Sequence, residues 1–168
     1  PTRSCALSEA HEVLFASSLT DFYAWAVPKT DSVIIGCAFE DKDGAKERFE
    51  QIVTWYREHL GLDGAMLDRS ARPLSRPRRR SDLFPGSTGV LLAGEAAGLV
   101  SPSSGEGISF ALLSGAAAGR AAGGSAPHLV YGHSFRHLSR KVLSKTFKAR
   151  VIYSPRLRSS ALRLPWYP

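Results

Sequence analysis

The chain has 168 residues, 43% of them apolar and 22% charged, which suits one globular domain with a real core, or parts of two. No run of about 18 apolar residues occurs, which excludes a bilayer-spanning helix, and the first ten residues lack the apolar stretch of a secretory signal. The net charge of +7 is lopsided: residues 1–106 carry all 15 acids against 12 Lys and Arg, whereas residues 107–168 carry 10 Lys and Arg and no acid.

Such asymmetry describes either a solvated basic tail or a surface that meets phosphates, lipid headgroups or nucleic acid. Position 1 is Pro and the sole Met is Met66, so the chain reads as a fragment or processed piece whose natural start lies upstream. Cys5 and Cys37 make no disulfide framework and fit a reducing compartment.

Val13-Leu14-Phe15 reads as a short strand. Residues 21–27 alternate around Phe22, Tyr23, Trp25 and Val27 and read as a second strand with Pro28 at its edge. Residues 28–31 form a turn, and Ser32 to Phe39 a third strand, so the short spacing predicts an antiparallel meander. Asp43 is placed to cap a helix ending at Gly61. Ala45, Phe49, Ile52, Val53, Tyr56 and Leu60 draw one stripe along that helix. The stripe needs a sheet to lie on, and the meander is the near candidate.

Residues 69–80 hold six Arg and two Pro and are extended or looped. This cluster pairs with an anion or is a solvated connection. Residues 86–89 form a turn, and Val90 to Ala93 a short strand buried on both faces. A Gly- and Ala-rich helix follows from near Gly105 to about Ala122. Its Gly115–Gly119 spacing is not read as membrane pairing, because the apolar stretch is short and Arg120 interrupts it. Residues 123–127 break the chain. His128 to Arg150 read as a basic helix with Leu129, Phe135, Leu138, Val142, Leu143 and Phe147 inward. The tail ending in Leu164-Pro165-Trp166-Tyr167-Pro168 has no assigned structure. His133 and His137 share a helix face, yet no third ligand is evident, so no metal site is assigned.

The chemistry concentrates between Val90 and Phe110. An apolar strand runs into Gly94-Glu95, which sets a carboxylate at the strand's carboxyl end, where open α/β sheets bind ligands. A carboxylate accepts hydrogen bonds from hydroxyls, so a ribose or ribitol is a fitting partner, and Gly94 clears the approach. Pro102 then precedes Gly105-Glu106-Gly107. Glycines at a helix start leave backbone N–H groups open to negative oxygens. A turn acid and a glycine-softened helix start, each without a ligand, are the plainer alternatives.

Gly94-Glu95-Ala96-Ala97-Gly98 with Pro102 through Gly107 resembles the second FAD motif of flavoproteins with the para-hydroxybenzoate hydroxylase fold. There a Gly-Asp pair touches the ribitol, and the helix start faces the isoalloxazine. Glu95 stands where Asp is usual. Tyr23-Ala24-Trp25-Ala26-Val27-Pro28, seven residues, then Gly36-Cys37-Ala38 is similar to a substrate-sheet motif of geranylgeranyl reductases. That pattern is Tyr-x-Trp-x-Phe-Pro followed by Gly-x-Gly, so Val27 and Ala38 depart from it. The resemblance covers roughly residues 13–122. The Gly-x-Gly-x-x-Gly that holds the ADP half of FAD is absent.

The resemblance implies an α+β or α/β chain in three parts. Residues 1–85 would form an antiparallel substrate-domain sheet with a packed helix. Residues 86–124 would be the strand–loop–helix of an incomplete FAD-binding domain, and residues 125–168 a basic helical extension. It implies a flavin-dependent oxidoreductase that reduces carbon–carbon double bonds of an apolar, isoprenoid-like substrate, with FAD as cofactor and NAD(P)H as a candidate electron donor. Gly94 and Glu95 would touch the ribitol; Pro102, Gly105, Gly107 and Ile108 would flank the ring; Tyr23, Trp25 and Gly36 would line the substrate cavity. No proton donor or other catalytic residue is named. The isolated chain is expected to bind FAD weakly and to be inactive, since the N-terminal half is missing. The expected location is the cytoplasm, with peripheral contact at the inner membrane surface as a further expectation. The alternatives are a flavin monooxygenase on an aromatic substrate and a non-enzymatic basic module for membrane or nucleic acid, nucleic acid ranking low because no module pattern is present.

Overall fold

A three-stranded antiparallel meander opens the described chain, which comprises residues 10–157 and residue 160 of the computed structural model. Strands β1 (Glu12–Leu14), β2 (Ala24–Pro28) and β3 (Val33–Cys37) pair in chain order. The register sets Val13 opposite Trp25 and Trp25 opposite Gly36. Side chains alternate across a strand, so Ala24 and Ala26 turn to one face while Trp25 turns to the other. Helix α1 (Ala45–Leu60) covers the alanine face, where Ile52 and Tyr56 are fully buried against Ala24 and Ala26. Alanines let the helix settle close to the sheet, and burial of Ile52 alone contributes roughly 1.5–3 kcal/mol.

Asp43 does not cap this helix, contrary to the sequence expectation. The N-cap is Gly44 in a left-handed conformation, with φ 65°, and no side chain serves it. The Asp43 N–H instead donates to the Asp41 carboxylate at 2.9 Å. A tight acidic turn over residues 41–44 has displaced the cap by one residue. Gly61 ends the helix as expected, left-handed with φ 64°.

The first compact unit ends at Ser70 and the second begins at Ala71. Residues 71–85, grouped in the sequence with the meander, therefore belong to the second unit, where Leu83 joins the core. Residues 86–91 form a hairpin of β4 (Gly86–Ser87) and β5 (Val90–Leu91). The strand expected over Val90–Ala93 is thus shorter and paired antiparallel. It is not buried on both faces, since Val90 is 55% exposed. The Leu92 N–H still donates to the Pro85 carbonyl at 2.9 Å, but Pro85 can donate no bond in return and Gly94 turns left-handed with φ 57°, so the ladder goes no further.

A single 3-10 turn (Gly94–Ala97) follows, closed by left-handed Gly98. Helix α2 (Ile108–Ala122) starts three residues after Gly105, because residues 101–106 first close a loop. Helix α3 (Pro127–Tyr153) packs along α2. It is therefore part of the core of this unit, not an appended extension. Its buried residues are Tyr131, Phe135, Leu138, Ser139, Val142 and Ala149. Leu129 and Phe147, expected inward, are 66% and 74% exposed. Both fall nearly opposite Leu138 and Val142 at about 100° per residue. Tyr131 was missing from the expected stripe. It is fully buried, and its hydroxyl donates to the Leu92 carbonyl at 2.6 Å, which satisfies its polar end.

No helix among the described residues is long and apolar enough to cross a membrane. Cys5 and the Leu164–Pro168 tail lie outside the described residues.

Candidate functional site

Local backbone chemistry builds the site of the second unit. Gly94 approaches α2 so closely that a Cβ there would lie 3.0 Å from the Ala111 Cβ. Its positive φ and this approach both require glycine. Its N–H donates to the Ser114 hydroxyl at 2.8 Å, and that hydroxyl donates in turn to the Phe110 carbonyl at 2.6 Å. The Leu99 N–H closes back on the Gly94 carbonyl at 2.9 Å. The turn bearing Glu95 is thereby fastened to the first turns of α2, and Glu95 itself stays exposed.

The loop from Ser101 to Gly107 is tied from both ends. The Ser101 N–H donates to the Glu106 carbonyl at 2.8 Å, and the Gly105 N–H to the Ser101 carbonyl at 2.9 Å. Pro102 and Ser101 are fully buried beneath it. Ser104 donates to the Ser101 hydroxyl at 2.9 Å, and the Tyr153 hydroxyl donates to the Ser103 carbonyl. Gly105 is left-handed, with φ 69°. Gly107 is the N-cap of α2 and offers no side chain for that purpose. Gly94, Glu95, Pro102, Gly105, Gly107 and Ile108 are thus gathered within one unit, around the amino end of α2.

Two neighbours were not legible in the motif. Glu106 reaches over the helix start, where its Oε1 accepts the Ser109 N–H at 2.9 Å. That bond holds the Glu106 carboxyl below the usual carboxylate range, and the Lys145 ammonium at 3.9 Å adds to the effect. The N–H groups of Ile108 and Phe110 have no acceptor among the described residues. One donor of the helix start is therefore committed internally, while those of Ile108, an exposed residue, and Phe110, a buried one, are not. The second neighbour is the proline-rich loop. The Ser75 N–H donates to Glu95 Oε1 at 3.2 Å, and Leu74 lies 3.1 Å from where a Gly105 Cβ would be. The other oxygen of Glu95 has no partner among the described residues. Ile108 is 76% exposed.

The remaining candidates sit on the outer face of the meander. The Tyr23 and Trp25 rings are 5.7 Å apart at 57°, and Phe15 lies 5.7 Å from Tyr23. The Trp25 indole lies directly over Gly36, where a Cβ would come within 2.4 Å of it. Val13, opposite Trp25, and Ile34, two residues before Gly36, are both more than half exposed. The sheet is therefore apolar on both faces, with α1 covering only one. Cys37 turns the other way, toward α1, and burial pushes its thiol up to about 11. No group of three or more His, Cys, Asp and Glu among the described residues could hold a metal ion.

Over 156 residues the chain is 32% identical to the protein named CbrA of Escherichia coli O157:H7, which covers 91% of this chain and 44% of that protein. It is 31% identical over the same length to CbrA of Shigella dysenteriae serotype 1 (strain Sd197), with the same coverage of each. It is 31% identical to CbrA of Escherichia coli strain UTI89, covering 42% of that protein. No family model matches the chain, and no solved structure matches it. The chain spans less than half the length of the curated relatives it matches.

Proposed function

We propose that the chain is the C-terminal portion of an FAD-dependent oxidoreductase of the geranylgeranyl reductase type, acting on carbon–carbon double bonds of an apolar substrate. The observation that carries this reading is the fastening of the Gly94–Glu95 turn to the amino end of α2 through Ser114. It holds an exposed carboxylate and a glycine-rich helix start, whose Ile108 and Phe110 N–H groups meet no acceptor among the described residues, on one support. These residues fit the ribityl and ring end of a flavin. Glu95 would accept from the ribityl hydroxyls, and the N–H groups of Ile108 and Phe110 would receive a ring oxygen carrying negative charge. Pro102, Gly105, Gly107 and Ile108 would meet the ring. The 168 residues contain no Gly-x-Gly-x-x-Gly for the ADP half.

When bound, FAD supplies the hydride; the protein's share is position and exclusion of water. Tyr23, Trp25 and Gly36 would take the apolar substrate, since their sheet face offers aromatic surface without charge. The Ser75–Glu95 and Glu106–Ser109 bonds occupy part of the polar surface that the cofactor needs. Binding must displace the first, and this supports weak flavin affinity for the chain alone.

The test uses the gene product at its natural length, purified and examined for a flavin absorption spectrum. The reading expects bound flavin, its loss in Glu95→Ala, and reduction of an isoprenoid double bond without oxygen. Flavin absent from the unsubstituted protein would overturn it. Oxygen-dependent hydroxylation of an aromatic compound would move the activity to the monooxygenase alternative.

A further inference from the structure

The amino end of α2 carries a charge to which the flavin reading gives no role. Glu106 is the last acid of the chain. Backbone bonds fix its place: its carbonyl accepts the Ser101 N–H at 2.8 Å, and its N–H meets the Ser104 hydroxyl at 3.4 Å. The carboxylate is divided between two partners. Oε1 accepts the Ser109 N–H at 2.9 Å, and Oε2 faces the Lys145 ammonium at 3.9 Å. Lys145 arrives from α3 and lies over the Phe110 ring, 4.9 Å from its centre. One negative and one positive charge, from segments far apart in the chain, are thus held together at the helix start. Ser109 lies between Ile108 and Phe110, so the carboxylate shares a single turn with the donors assigned above to the flavin ring. The Ser109 bond also favours the ionised form, so the charge is present at neutral pH. A helix cap needs only an acceptor, which a neutral side chain can supply; a full charge acts beyond its own hydrogen bond.

We propose that Glu106 sets the reduction potential of the bound flavin: its negative charge opposes the charge that the ring gains on reduction, and the flavin becomes a stronger hydride donor. The inference rests on the flavin reading above. A hydride from a nicotinamide-class donor brings two electrons and one proton to the neutral ring, which then bears one negative charge. The hydride leaves to one carbon of the double bond, and a proton from solvent goes to the other. The N–H groups at the start of α2 stabilise the negative ring, Glu106 acts against them, and Lys145 moderates Glu106. A carbon–carbon double bond with no polar group attached accepts a hydride only from a strongly reducing donor, so a lowered potential suits that substrate class.

The test uses the flavin-loaded gene product at its natural length, titrated with dithionite against a reference dye. Glu106→Gln keeps an acceptor for the Ser109 N–H and removes the charge alone. It should shift the equilibrium toward reduced flavin by about tenfold or more, ~30 mV upward for a two-electron couple. The affinity for reduced flavin, relative to that for oxidised flavin, should rise by the same factor. Lys145→Gln should shift the potential downward, and the double variant should lie between the two single ones. Lys145→Gln also carries the test if Glu106→Gln does not fold. Lys148→Gln removes a charge from an exposed position one turn further along α3 and should shift the equilibrium by less than about threefold, ~15 mV. Absence of flavin from the unsubstituted protein would overturn the flavin reading and this inference with it. Bound flavin whose equilibrium moves by less than about threefold in Glu106→Gln, or moves equally in Lys145→Gln and Lys148→Gln, would overturn this inference alone and leave Glu106 as a helix cap.

Discussion

Gly36 is where the packing of the proposed substrate face can be tested most sharply. A Cβ at this position would come within 2.4 Å of Trp25 Cε2 and Cζ2 and within 2.7 Å of its Nε1. Gly36→Ala must therefore tilt the indole off the sheet or push β3 away. Overpacking of this kind costs about 1–3 kcal/mol. Against this, Ala in a strand interior is favoured over Gly by roughly 0.5–1 kcal/mol, and the backbone of Gly36 is not left-handed. The net expectation is a loss between about 0 and 2.5 kcal/mol, too broad to decide anything by itself. A double-mutant cycle decides it. In a Trp25→Ala background the obstruction is gone, and Gly36→Ala should become neutral or stabilising by roughly 0.5–1 kcal/mol. The coupling energy should thus be about 1–3 kcal/mol, read from urea denaturation of the four proteins. Near-UV circular dichroism should change in Gly36→Ala alone, because the Tyr23–Trp25 ring pair would be reoriented. A cost for Gly36→Ala that is the same with and without Trp25 would refute the claim that the indole lies over this glycine.

Ser114→Ala strands the buried Gly94 N–H and should cost about 1–3 kcal/mol in chemical denaturation; in the natural-length protein it should also weaken flavin retention, whereas Ser144→Ala, at an exposed hydroxyl, should do neither. Gly98→Ala combines a positive φ of 73° with a Cβ placed 2.3 Å from the Asp82 carbonyl oxygen, a backbone atom that cannot swing aside, so it should be among the most damaging single changes in the second unit and leave little folded protein in a thermal melt. The folded state depresses the Glu106 pKa, chiefly through the Ser109 N–H. Its contribution to stability is therefore present above the unfolded carboxylate range and lost as pH falls through the folded value. Glu106→Gln should flatten that acid limb of the stability profile, and an unchanged profile would remove Glu106 from the helix start. Burial raises the Cys37 thiol to about 11, so folding favours the neutral thiol. Alkylation of Cys37 should stay slow at mildly alkaline pH and accelerate only on unfolding, a contrast measurable by mass spectrometry of the labelled peptide.

What could be read in advance follows the range of the forces involved. The meander and α1 were legible because alternation over residues 24–28 and the stripe through Ile52 and Tyr56 are periodic, and each period is enforced by burial on one side. Val90–Ala93 misled because a short apolar run carries no period, and its environment is set by glycines and Pro85 acting on the backbone. On α3 the expected inward set mixed two stripes. Leu129 and Phe147 are as apolar as Phe135 but sit on the outer side, while Tyr131, absent from that set, is buried with its hydroxyl bonded to the Leu92 carbonyl.

The site divides along the same line. The spacing from Gly94 to Gly107 could be recognised because it records local backbone needs: positive φ at Gly94, Gly98 and Gly105, and a bare N-cap at Gly107. The side chains that complete it could not. Ser114 and Ser75 each lie 20 residues from the group they bind, in opposite directions along the chain, and no local pattern marks either one. Glu106 is the instructive case, for it lies inside the motif. An acid one residue before a helix N-cap can be aimed at a ligand or can turn back onto the helix start, and the spacing is identical for both. Here it has turned back, onto Ser109. A motif of this kind therefore specifies the backbone of an anion-receiving helix end and leaves its occupancy open. That is why the proposed cofactor is argued from the donors that remain unfilled at Ile108 and Phe110, and from the Glu95 oxygen that Ser75 does not take.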